Sequence, residues 1–62
     1  MRLKKGPIIF GIAQFPSGER RVSRNYVNPE AFSRWANKQF RKDEQVRVTE
    51  FRNYEVYSEW RA

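Results

Sequence analysis

Apolar and polar positions change rhythm twice along this chain, and the changes mark out five elements. Residues 8–15, IIFGIAQF, are apolar on both alternating faces: Ile8, Phe10 and Ile12 on one, Ile9, Gly11, Ala13 and Phe15 on the other. A strand that is hydrophobic on both sides belongs inside a sheet. Pro16-Ser17-Gly18 is a turn signal, with Gly18 free to take positive φ. Residues 19–27 return as a second strand, in which Arg20, Val22, Arg24 and Tyr26 alternate with Arg21, Ser23, Asn25 and Val27. That strand is polar enough to lie at an edge, where its arginines discourage pairing with another chain.

The period then switches from two to 3.6. Over residues 28–42, NPEAFSRWANKQFRK, Asn28 is placed to cap a helix and Pro29 to open it, since the first helical position needs no amide donor. Phe32, Trp35, Ala36 and Phe40 fall at i, i+3, i+4 and i+8, one apolar stripe, while Arg34, Lys38, Arg41 and Lys42 lie round the other side. Lys42-Asp43-Glu44 ends the helix without a glycine. Residues 45–52 read as a third strand with Val46 and Val48 on one face; Phe51 is out of phase with them, which implies a bulge or a two-sided strand. Arg52-Asn53 is a tight-turn signal, because Asn tolerates the left-handed conformation. Residues 54–61 form a fourth strand with Tyr54, Val56 and Trp60 on one face. One long bent strand is the competing reading.

The predicted fold is α+β: a β-β-α-β-β chain forming a four-stranded, mainly antiparallel sheet in the order 2-1-3-4, with one helix packed on one face. The most apolar strand takes a central place, and the crossover helix covers the sheet. The aromatic stripe is expected to pack on Ile8, Phe10, Ile12, Val22, Val46 and Val48. The opposite face would then expose Ile9, Gly11, Ala13 and Phe15, together with Arg47, Phe51 and Tyr57. All 62 residues, 1–62, are read as a single domain. At that length a core is thin, and with neither cysteine nor histidine no disulfide or zinc supports it. Ten aromatics (five Phe, three Tyr, two Trp) must supply the burial instead, and dimerisation is a further route.

Charge adds a direction. The formal net charge is +6, and it is unevenly spread. Residues 1–42 hold ten Lys/Arg against two Glu, for +8, whereas residues 43–62 hold three Arg against five Asp/Glu, for −2. Such asymmetry favours an anionic partner, nucleic acid first, or serves solubility alone. Two candidate surfaces follow. One is a basic surface of Arg20, Arg21, Arg24, Arg34, Lys38, Arg41 and Lys42, suited to phosphate, with Asn37 and Gln39 able to reach a base edge and an i,i+4 pair of Glu30 with Arg34. The other is the open sheet face with Phe15, Arg47, Phe51 and Tyr57, where rings beside cations suit unpaired bases, a second protein or a second copy of the chain.

Enzymatic chemistry is not expected. The usual base, nucleophile and zinc ligands are missing, no glycine-rich phosphate loop occurs, and no cofactor or metal is implied. Glu50 and Glu55 facing each other across the last hairpin would be the one carboxylate pair, read as a solvated salt-bridge surface. No run reaches the roughly 20 apolar residues of a membrane span, and the basic-then-apolar start is read as structure and not as an export signal. Absence of cysteine agrees with a cytoplasmic setting.

A hairpin (residues 8–27), one helix containing Trp35, and a following strand (residues 46–51) is a layout that resembles small bacteriophage host-takeover proteins. These include the host RNA polymerase inhibitors of the phage T7 type and the antitoxins of the phage T4 type. The resemblance lies in element order and length and carries over no functional residue; this chain is also more basic than the polymerase inhibitors. It implies a module that occludes a protein of the host. Three functions are therefore expected to compete: modulation of a protein in a nucleic-acid-processing system, direct and weakly sequence-specific nucleic-acid binding, and a structural homodimer.

Overall fold

A computed structural model describes residues 8–60. The basic arm expected at residues 1–5, the Gly6-Pro7 boundary and the last residue of the expected fourth strand, Arg61, lie outside the described residues. The elements are β1 (Ile9–Gln14), β2 (Arg20–Val22), α1 (Pro29–Lys42), β3 (Arg47–Arg52) and β4 (Glu55–Trp60). All pairings are antiparallel, and the order is β2-β1-β3-β4. The expected α+β architecture and strand order are those of the molecule.

Local chemistry accounts for each boundary. β1 and β2 are joined by residues 15–19, in which the Phe15 amide donates to the Glu19 carbonyl at 2.8 Å, the Gly18 amide donates to the Phe15 carbonyl at 2.9 Å and Gly18 sits at φ 101°. At the helix start, the Asn28 side chain accepts the Glu30 amide at 2.8 Å. At its end, the Asp43 amide still donates to the Gln39 carbonyl, but Asp43 itself is extended. Its carboxylate then accepts the Gln45 amide at 2.9 Å and its carbonyl the Val46 amide at 3.1 Å. An aspartate turn thus replaces the missing glycine cap. The final turn is a hairpin and not a bend: Arg52 pairs with Glu55, leaving Asn53 (φ 53°) and Tyr54 (φ 69°) as its two central residues. Positive φ at both is the type I′ geometry that matches strand twist. The turn is one residue later than Arg52-Asn53.

The phase of β1 differs from expectation. Ile9, Ala13 and Phe15 are buried under the helix, in one cluster with Phe32, Ala36, Val46 and Val48, whereas Phe10 and Ile12 face the other way. Both faces are apolar, so alternation could not choose between them. Volume chose. A Cβ on Gly11 would lie 2.6 Å from Phe32 Cε1 and 2.9 Å from Trp35 Cζ3, so the rings of α1 occupy the space a side chain would need. A helix face carrying Phe32 and Trp35 seats on the strand face whose middle is Gly11 and Ala13, and the bulkier Phe10 and Ile12 turn outward.

Two irregularities re-aim the outer strands. In the return strand, Val22 pairs with Ile12 but Tyr26 bridges Ile9, one residue out of step. At the slip, the Ser23 hydroxyl accepts the Gly11 amide at 2.8 Å and donates to the Arg24 carbonyl at 2.8 Å, so no buried donor is left over. Val22 therefore faces outward with Ile12, while Tyr26 turns its ring to Phe32. The second slip lies in β4, where Glu50 pairs with Ser58 and Phe51 with Val56, leaving Tyr57 as the extra residue. β3 is the two-sided strand; the bulge belongs to its neighbour. It separates Trp60, which packs edge-on to Phe32, from Val56 on the outer face.

Candidate binding surfaces

Alternation outward from Phe10 and Ile12 builds one surface on the side away from the helix. Phe10 pairs with Phe51, their rings stacked 4.9 Å apart and 10° from parallel. Phe51 in turn pairs with Val56, and Ile12 with both Val22 and Thr49. Tyr54 reaches over from the turn, its ring 6.2 Å from that of Phe10. Val22, Tyr54 and Val56 are 65%, 75% and 61% exposed. The result is a band of valine, isoleucine and aromatic side chains across all four strands. Its polar end carries Arg20, opposite Gln14, and Arg47, which is 3.7 Å from Glu59.

Of the residues expected on this face, Arg47 and Phe51 are there. Phe15 is not: it is 7% exposed and belongs to the core, because β1 presents its odd-numbered positions to the helix. Tyr57 is exposed but leaves the open face, since the bulge brings its ring 3.8 Å from the guanidinium of Arg52. Arg52 lies on the helix-bearing side, bonding Glu50 through Nε at 2.8 Å. Phe10, Ile12, Val22, Tyr54 and Val56 were not foreseen here. The signal was available in the small Gly11 and Ala13, which mark where a ring-bearing helix can sit.

The expected basic surface divides. Arg20 points to the open face and Arg21, opposite Ala13, to the other, where it bonds Glu19 at 2.8 Å. Arg24 sits in the slipped stretch after β2. Arg34, Lys38 and Arg41 do gather, lining a shallow groove with Asn37 on the outer side of α1; Lys42 follows at the helix end. Among the described residues the ion pairs are Arg21–Glu19, Arg47–Glu59 and Arg52–Glu50, so no Glu30–Arg34 pair forms and the helix cations are unpaired. Gln39 is no base reader: it is 3% exposed, its Nε2 donates to the Trp35 carbonyl, and its Oε1 has no partner. The helix has buried an amide that its apolar spacing did not include.

Glu50 and Glu55 do not oppose each other; Glu50 pairs with Ser58 and Glu55 with Arg52. Glu50 is 3% exposed, not a surface charge. Its Oε1 accepts Trp60 Nε1 at 2.8 Å and the Ser58 hydroxyl at 3.2 Å, and its Oε2 accepts Arg52 Nε. These three donors compensate the carboxylate's loss of water, and the cluster ties the end of β4 to β3. No group of three metal-ligating side chains occurs among the described residues, and no described helix is long and apolar enough to cross a membrane.

No family model, curated protein or solved structure matches this chain. Its chemistry is therefore read from its own surfaces.

Proposed function

We propose that this chain is a small non-enzymatic binding module that docks on a protein of a nucleic-acid-processing system through its open sheet face. Docking there would modulate or inhibit that protein by covering its surface, as a phage or mobile-element takeover protein does in the host cytoplasm. One observation carries the reading: the apolar face is extended by a tyrosine held where a glycine would be easier. A non-glycine residue in the left-handed region costs on the order of 1 kcal/mol, and Tyr54 bears that cost at φ 69° while 75% exposed. Nothing in the turn needs its ring; the ring extends the Phe10–Phe51 stack outward. Strain kept at an exposed aromatic is a mark of a working surface. The valines and isoleucine around it suit a protein partner better than bases, which need flat rings to stack on.

Affinity capture from a lysate treated with nuclease, using the wild type and the Val22→Ser/Val56→Ser variant, tests this. The expected result is a nuclease-resistant protein partner that the variant loses. Retention of that partner by the variant, or loss of all capture on nuclease treatment, overturns the reading. A dimer in sedimentation that the same variant dissociates would instead identify the second copy of the chain as the occupant.

A further inference from the structure

The open face leaves the opposite side of the molecule unassigned, and among the described residues most of the unpaired positive charge lies there. Arg34, Lys38 and Arg41 recur at i, i+4 and i+7, which sets them on one line about 10 Å long on an α-helix. Burial of Phe32 and Ala36 against the sheet fixes the rotation of α1, so this line points to solvent. Asn37 lies between the cations in the same groove. Six of the seven acidic side chains are engaged elsewhere or stand off the row. Glu19, Glu50 and Glu59 are paired with Arg21, Arg52 and Arg47, and Asp43 closes the last helical turn, whereas Glu30 lies one turn before Arg34 at the N-terminal end of the row and forms no ion pair among the described residues. Glu44 and Glu55 are exposed beyond the helix and at the start of β4.

We propose that Arg34, Lys38 and Arg41, with Asn37 as a neutral donor, form a track for the phosphodiester backbone of nucleic acid. Guanidinium groups meet phosphate oxygens in pairs, and a lysine between them adds a point charge without demanding a direction. Arg41 and Lys42 sit in the last helical turn, where carbonyls point outward, so a phosphate is held by side chains there and not by backbone amides. Recognition is by charge and spacing, with no base-reading side chain, because Gln39 is buried. The track stands on the helix alone and does not depend on what covers the sheet. Since the sheet separates the two surfaces, nucleic acid and a protein can be held at once.

Salt-dependent binding to three probes tests the track: a mixed-sequence 20-base-pair DNA duplex, the same sequence as single-stranded DNA, and as single-stranded RNA. The wild type is compared with Arg34→Gln/Lys38→Gln/Arg41→Gln in the full chain. Loss of three phosphate contacts should make the slope of log K against log salt shallower by about 3 on duplex or about 2 on a single strand. Low-salt affinity should fall by at least tenfold on the same probe. The probe showing the largest change identifies the nucleic acid. Arg34→Lys/Arg41→Lys should retain the wild-type slope, and Val22→Ser/Val56→Ser should leave both slope and affinity unchanged.

Absence of wild-type binding at low salt, or an unchanged slope in the triple variant, overturns the track and leaves the open-face reading standing. Loss of nucleic-acid binding in the Val22/Val56 variant alone would place the nucleic acid on the sheet and overturn both.

Discussion

Replacing Gly11 by alanine asks which face of β1 the helix covers, and the answer changes the sign of the effect. In an open strand, Gly→Ala stabilises by roughly 0.5–1 kcal/mol, because glycine loses more freedom on folding. Here the new Cβ would lie 2.6 and 2.7 Å from Phe32 Cε1 and Cζ, and 2.9 Å from Trp35 Cζ3. Carbon atoms rest about 3.5–4.0 Å apart, so the rings must withdraw by about 1 Å. Phe32 has little room to do so. It is 1% exposed, edge-on to Tyr26 and Trp60 at 6.2 and 5.8 Å, and 5.6 Å from Trp35. Overpacking of this kind costs about 1–3 kcal/mol. With a mid-range cost of about 2 kcal/mol, a domain of this size should melt roughly 8–16 °C lower. Urea and thermal unfolding followed by the fluorescence of Trp35 and Trp60 measure it. In the double variant Gly11→Ala/Phe32→Leu the smaller side chain leaves room for the methyl group, so the two losses should sum to less than their parts by about 1 kcal/mol. Gly11→Ala as stable as the wild type, or more so, would refute the seating of α1 on this face.

Three further outcomes follow from particular contacts. Tyr54→Gly relieves about 1 kcal/mol of left-handed strain and gives up about 0.5–1.5 kcal/mol of ring contact with Phe10, so stability should change by no more than about 0.5 kcal/mol, while partner capture weakens; chemical denaturation and the capture assay read the two together. Ser23→Ala removes the acceptor of the Gly11 amide and should cost about 1–3 kcal/mol in urea unfolding, with Gly11 among the amides whose hydrogen exchange rises. Arg52→Gln takes from the buried Glu50 the cation it pairs with among the described residues and should cost about 3 kcal/mol. Glu50→Gln/Arg52→Gln should return part of it, and a double-mutant cycle that shows no coupling would contradict the ion pair.

What the chain dictates by itself is its element order and the chemistry of most of its boundaries. Asn28-Pro29, Pro16-Ser17-Gly18 and Asn53 act on their own backbone within a few residues, and a change of period from two to 3.6 is local. The strand order also follows, because an apolar two-sided strand needs neighbours on both edges while an arginine-rich one does not. The end of the helix was less legible, since Asp43 closes it with its own carboxylate in place of the expected glycine signal.

The faces were decided only in three dimensions. In β1, Phe10 and Ile12 are as apolar as Ile9 and Phe15, so hydrophobicity left the orientation open; the rings of Phe32 and Trp35 settled it against Gly11 and Ala13. The slips at Ser23 and Tyr57 then put Tyr26 on the opposite side from Val22 and Trp60 on the opposite side from Val56, which a strict alternation does not assign, since a bulge is a property of two strands together. The same holds for charge: whether Glu50 is a surface carboxylate or a buried acceptor depends on Trp60, ten residues away in sequence and 2.8 Å away in space. Of the two candidate surfaces, the helix row was readable from its spacing. The apolar sheet face could be located only once the helix had chosen its side, because a surface left uncovered is defined by what covers the other.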